Sequence, residues 1–115
     1  MQNPPPVQTP KSSTGLDENV AALLSYVLNW VSGLVFFLIE KSSRLVRFHA
    51  MQSIITFGSL TVIFMILGFI PFVGWMLMPI LAILQLILWV VLMVKAYQGQ
   101  LFKLPMIGDM AEKNI

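Results

Sequence analysis

The chain has no cysteine, one histidine and only twelve charged side chains among its 115 residues. Each shortage closes off a class of protein. Without cysteine there is neither a disulfide scaffold nor a thiolate zinc site. Charged residues make up 10% of the chain, against about 25% in a water-soluble domain. None lies between residues 50 and 94. A small domain buries proportionately less of its chain than a large one, so a soluble fold of this length has no interior to hide that much apolar surface. A soluble globular domain is excluded. So is a disordered chain, at 57% hydrophobic residues and a mean hydropathy of +0.83. GxSxG, HExxH, a phosphate loop and usefully spaced paired carboxylates are also missing. The residues predict no enzymatic activity, no cofactor and no metal site.

What is present divides into segments. Residues 1–15 hold four of the seven prolines and almost nothing apolar, which predicts a disordered, partly polyproline-like arm. Thr14-x-x-Asp17 reads as a capping box that opens a helix, with Asp17 and Glu18 where a helix N-terminus favours negative charge. Val20 to Ile39 is then free of charge, and twenty helical residues span about 30 Å, the thickness of a bilayer's hydrocarbon core. A polar stretch from Glu40 to Arg47 precedes a second apolar run, long enough for two crossings and broken at Ile70-Pro71-Phe72-Val73-Gly74. Pro79 falls near the first turn of the last helix, where a missing N–H costs least. The expected fold class is an all-α integral membrane protein with three transmembrane helices, over about 20–39, 49–70 and 75–94. Residues 16–98 form the membrane domain and residues 99–115 a tail along the cytoplasmic surface.

Three spans put the N-terminal arm and the second loop on one side, which holds Lys11 alone. The other side holds Lys41, Arg44, Arg47, Lys95, Lys103 and Lys113. The positive-inside rule then predicts the N-terminus outside and the C-terminus in the cytoplasm, with Trp75 and Tyr97 in the two aromatic belts. The basic residues form no dense cluster, so nucleic acid is not an expected partner. The lipid bilayer is.

Polar side chains inside the spans carry most of the information, because lipid offers them no partner. Ala21, Ser25, Asn29 and Gly33 recur every four residues, with Ser32 beside them. His49, Gln52, Ser53 and Thr56 share one face of the second span, and Gln85 sits near the middle of the third. One reading makes these stripes interhelical glue, each hydrogen bond worth about 0.6–2 kcal/mol. The other makes them a hydrophilic path with His49 at its mouth and Asn29 and Gln85 deeper in. That path contains no intramembrane carboxylate, Lys or Arg of the kind that coupled transporters use. His49 itself reads as a hydrogen-bonded anchor or as a pH-responsive group. The loop reads as a stop-transfer and lipid-phosphate contact, or as an ion pair of Glu40 with Arg44 or Arg47, worth about 0–1 kcal/mol if exposed. Lys95-Ala96-Tyr97-Gln98-Gly99 reads as a helix end with a glycine cap.

Two segments are specific enough to suggest a family. One is Glu40-Lys41 followed by Arg47-Phe48-His49-Ala50-Met51-Gln52-Ser53. The other is Lys95-Ala96-Tyr97-Gln98-Gly99, then Lys103-Leu104-Pro105-Met106-Ile107-Gly108-Asp109 and Ala111-Glu112-Lys113. From about Gly15 to Lys113 the chain resembles small multi-pass membrane proteins of bacteria and archaea grouped with the chloroplast inner-envelope import component, the twenty-kilodalton member of the Tic family. The resemblance makes Arg47, His49, Gln52, Tyr97, Gly99, Pro105, Gly108 and Asp109 the signature positions. It implies a plasma-membrane protein of a prokaryote and a place near protein translocation, although the chloroplast relative has four spans where three are expected here.

The function these readings predict is that of a non-catalytic assembly or translocation-related subunit. Its cytoplasmic face would bind a membrane-protein partner or a second copy of itself, as a homo-oligomer. The alternative is an oligomeric channel or transporter with a polar path along the second helix.

Overall fold

The structure, a computed structural model, describes residues 11–115. Most of the expected N-terminal arm, residues 1–10, lies outside the described residues. Among those described the chain is helical, in the order α1 (Glu18–Val27), α2 (Trp30–Ile39), α3 (Arg44–Gly68), α4 (Val73–Tyr97) and α5 (Ile107–Lys113). An isolated bridge between Lys11 and Asp17 accompanies them. Helices α3 and α4 are each long and apolar enough to cross a membrane. At 25 residues each they extend about 37 Å.

The stretch expected as one span over 20–39 is two ten-residue helices. Helix α1 stops at Leu28, and Asn29 turns the chain at φ 57° and ψ −133°. Asparagine tolerates positive φ better than most side chains. Serines supply the hydrogen bonds that the interrupted helix loses. Ser32 Oγ accepts the Leu28 N–H at 3.0 Å and donates to the Ser25 carbonyl at 3.1 Å, while Ser53 Oγ donates to the Asn29 carbonyl at 2.7 Å.

The two short helices therefore fold back on each other and lie against the long hairpin. Helix α1 runs antiparallel to α4: Asn19 Nδ2 donates to the Tyr97 carbonyl at 3.0 Å, and Trp89 Nε1 to the Tyr26 carbonyl at 2.7 Å. Helix α2 runs antiparallel to α3. Gly33 is buried where an added Cβ would stand 2.8 Å from the Ala50 carbonyl, and the Arg47 guanidinium lies 4.4 Å above the Phe37 ring. The Asn29 turn thus reaches only the middle of α3 and α4. Ser13, before α1, and Glu40, after α2, meet again at 2.9 Å.

Several expectations are corrected here. Among the described residues two helices, α3 and α4, are long and apolar enough to cross a membrane, and the stretch expected as the first span is not one continuous helix. Ser13, Glu40 and the tail residues Glu112 and Ile115 gather at the end of the bundle where α3 begins, as Arg44 meets Glu112 at 3.2 Å and Arg47 the Ile115 carbonyl at 3.5 Å. Asp17 is the N-cap of α1, yet no side-chain capping bond forms. It pairs instead with Lys11 at 2.5 Å. Before α1, the Ser12 N–H donates to the Leu16 carbonyl. Helix α3 takes in Arg44 and Arg47, capped by Ser43 Oγ on the Val46 N–H. Pro79 stands in the second turn of α4, not the first.

The core sits in one half of the molecule. Tyr26 of α1, Val46, Phe57 and Leu60 of α3, Leu92 and Ala96 of α4 and Leu104 of the tail form one cluster. Every buried residue of α3 lies between Val46 and Leu60. Past Leu60 the hairpin is bare until Gly74, which is packed against the Leu67 carbonyl at the turn.

Candidate functional site

Gly99 ends α4 with φ +75°. Its N–H bonds the Ala96 carbonyl, and the Gln100 N–H bonds the Lys95 carbonyl. This is a Schellman cap, the glycine stop expected from the sequence. It turns the chain into the tail, whose residues 100–104 lie over the buried polar side chains of His49 and Gln52 on α3.

Gln52, fully buried, holds that tail. Its Nε2 donates to the Phe102 carbonyl at 2.9 Å and its Oε1 accepts the Leu104 N–H at 3.1 Å. A carbonyl at one residue and an N–H two residues on are what a neighbouring β-strand would engage, so the side-chain amide stands in for a strand. The second Nε2 hydrogen goes to Tyr26 Oη at 3.1 Å, and Tyr26 Oη lies 2.7 Å from His49 Nδ1. His49 Nε2 is 2.7 Å from the Gln100 carbonyl. A carbonyl only accepts, so Nε2 carries the proton and Nδ1 accepts from Tyr26. Every hydrogen in the chain from Gln52 through Tyr26 and His49 to Gln100 then has an acceptor.

A second knot closes the loop after α2. The Glu40 side chain is buried. Its Oε1 accepts the N–H groups of Ser13, Ser42 and Ser43 at 2.9, 3.0 and 2.9 Å, and the Ser13 hydroxyl at 2.7 Å. Burial pushes its acidity the other way, but the hydrogen bonds from Ser43, Ser13 and Ser42 outweigh it and hold the pKa down to about 2. The expected ion pair of Glu40 with Arg44 or Arg47 is not formed. Arg47 caps α2 through the Glu40 and Phe37 carbonyls, at 2.8 and 3.3 Å, and Arg44 reaches Glu112.

The exposed surface over these knots is charged. A depression of about 500 Å³ is lined by Arg44, Lys103, Asp109, Glu112 and Lys113. Lys103 hydrogen-bonds Glu112, which pushes the lysine pKa up and the glutamate pKa down. Asp109 stands 3.9 Å from Lys103. Among the described residues no group of three or more His, Asp or Glu side chains is placed to hold a metal ion.

The sequence-predicted site residues thus divide. Arg47, His49, Gln52 and Ser53 join the first loop, the Asn29 turn and the tail. Thr56 is buried beside them, its hydroxyl without a partner among the described residues. Pro105 and Gly108 shape the start of α5, Gly108 being packed against the Lys103 side chain. Tyr97 contributes its carbonyl while its ring is exposed. Asn29 and Gln85 stand apart from the patch. They line a groove of about 320 Å³ at the tip of the short hairpin, with Val27, Ala82, Leu86 and Trp89. Tyr26, Ser13 and Trp89 join the site without being expected there. Tyr26 offered a signal, a phenol in mid-span that needs a hydrogen-bond partner when buried; Ser13 offered none.

Comparison with known proteins agrees with a membrane reading. A UPF0132 membrane protein of Methanocaldococcus jannaschii is 52% identical over 103 residues, 90% of this chain and 93% of that protein. A second from the same organism is 48% identical over 99 residues, covering 86% of this chain and 71% of its own length. A UPF0132 membrane protein of Archaeoglobus fulgidus is 48% identical over 100 residues, 87% of this chain and 97% of that protein. No solved structure matches. Nothing in these matches links the chain to the chloroplast import component, so only the small-membrane-protein part of that resemblance stands. Residues 16–111 match the MamF/MmsF model, described as the magnetosome magnetite crystal formation protein family. The chain is a small membrane protein and belongs to the MamF/MmsF family.

Proposed function

We propose that the chain crosses the membrane twice, by α3 and α4, and that α1 and α2 form a re-entrant hairpin entering from the same side as both described ends. All seven Lys and Arg residues then belong to one side and none to the other. By the positive-inside rule that side is the cytoplasm. At the tip, the Ser32 and Ser53 hydroxyls and the Trp89 indole bond the backbone carbonyls of Ser25, Asn29 and Tyr26, as a turn within lipid requires.

On this topology the protein is a non-catalytic assembly subunit whose cytoplasmic face binds a membrane-protein partner or another copy of itself. The observation that carries the reading is the set of buried polar side chains committed to that face. Gln52, His49, Tyr26 and Glu40 all hold the tail, the loop and the segment before α1 in one fixed surface. Leu101, Met106 and Met110 of the tail segment are exposed. A polar path along α3 finds less support, because His49, Gln52 and Ser53 are buried and direct their hydrogen bonds internally. The family's name speaks of magnetite crystal formation. For this chain a mineral contact would fall to Asp109 and Glu112, and both already face Lys103.

The test is cross-linking in the native membrane from a single cysteine at Met110, followed by the mass of the detergent-solubilised species. A cross-linked dimer or a co-purifying membrane protein is expected. A strict monomer that captures nothing would refute the assembly role.

A further inference from the structure

The short hairpin reaches only the middle of the two long helices. Its tip is level with Ser53 of α3 and with Gln85 and Trp89 of α4, near the midpoints of two helices that run over Arg44–Gly68 and Val73–Tyr97. On the side of the basic residues the cross-section contains four helices, with the tail and α5 packed against α3. On the far side it contains two. Burial follows the same division, with Val62, Met65, Ile66, Met76 and Ile80 all exposed past the hairpin tip. The groove lined by Asn29, Gln85 and Trp89 is the step between the two halves.

We propose that the protein is a one-sided wedge, which favours membranes curved with the basic, cytoplasmic leaflet on the convex face. A helix with its side chains is about 10–12 Å across, so two extra helices displace lipid from one leaflet only. The exposed apolar side chains of Leu101, Met106 and Met110 add to the same leaflet at its interface, where inserted apolar groups make binding curvature-sensitive. The ligand class is the lipid bilayer itself, selected by shape. This inference rests on the two-crossing topology proposed above.

The test uses the full chain, labelled through Met110→Cys, in giant vesicles of phosphatidylcholine with a minor anionic fraction. Narrow tubes are pulled outward, and an impermeant quencher separates molecules by orientation. Molecules with the basic end on the outer surface are expected at a tube-to-flat density ratio above one. Molecules in the opposite orientation are expected below one. Equal partitioning of both orientations, or enrichment regardless of orientation, would overturn the wedge. A second label, at Leu28→Cys, is read with quenchers at known depth. With that label at the bilayer centre, the tube ratio alone decides for or against the wedge. A label at the far headgroups would overturn the topology beneath it.

Discussion

Ser13 donates both its backbone N–H and its hydroxyl to the carboxylate of Glu40, twenty-seven positions later. The start of α1 and the end of α2 are therefore neighbours, and the apolar stretch between them reverses at Asn29. The expected measurement is one of accessibility. Cysteines placed at Lys11 and at Lys113 should react with an impermeant reagent from the same side of sealed membranes, and a cysteine at Leu28 from neither. Reaction of Lys11→Cys and Lys113→Cys from opposite sides would restore a third crossing.

The same carboxylate sets a pH dependence. Glu40 ionises at about 2 in the fold, below its ordinary value of 4.5. A lowered pKa means the unfolded chain binds the proton more readily, so the contribution is complete above 4.5 and is lost as pH falls toward 2. Unfolding of the detergent-solubilised protein should show no loss from Glu40 between pH 7 and 5 and a steep loss below 4.5. Glu40→Gln should remove the acid limb of that profile. It keeps an oxygen where the serine donors converge but sets an NH2 group where Oε2 accepts the Ser13 N–H at 3.2 Å, at a cost of about 1–3 kcal/mol.

How far the sequence alone led can be traced through these residues. The long apolar run, the Pro71–Gly74 turn and the Gly99 stop were legible because lipid and backbone geometry act locally. The His49, Gln52, Ser53 and Thr56 face was legible from helical spacing as well, and it is the face that meets α1, α2 and the tail. The break at Asn29 was hidden. Val20 to Ile39 has the length and polarity of a crossing, and the bonds that stabilise its reversal come from Ser32 within the hairpin and from Ser53 and Trp89 on the helices packed against it. The Glu40 knot was hidden for the same reason, since Ser13 and Glu40 are distant in the chain. Nearby arginines made an ion pair the simpler expectation.

Gly33 and Gly58 offer a matched comparison on the packing of the short hairpin. A Cβ at Gly33 would meet the Ala50 carbonyl at 2.8 Å and Ser53 Cβ at 2.9 Å, whereas at Gly58 the nearest atom, Trp30 Cβ, is 4.0 Å away. Gly33→Ala should lift α2 from α3 and cost about 1–3 kcal/mol, the usual range for overpacking. Gly58→Ala should be neutral or slightly stabilising, because alanine is the better helix former. Unfolding by graded denaturing detergent compares the two, and equal stability would show that α2 does not pack as closely as described.

The last prediction separates what holds the tail from what decorates it. Gln52→Leu leaves the Phe102 carbonyl and the Leu104 N–H without their partner in a buried place, at about 1–3 kcal/mol for each group. The tail should detach, and a cysteine at Leu104, 9% exposed in the fold, should become reactive. Asp109→Ala should leave Leu104→Cys protected. Its carboxylate is 73% exposed and 3.9 Å from Lys103, and exposed pairs are worth about 0–1 kcal/mol. If Asp109→Ala releases the tail while Gln52→Leu does not, surface charge holds it and the amide stitch is incidental.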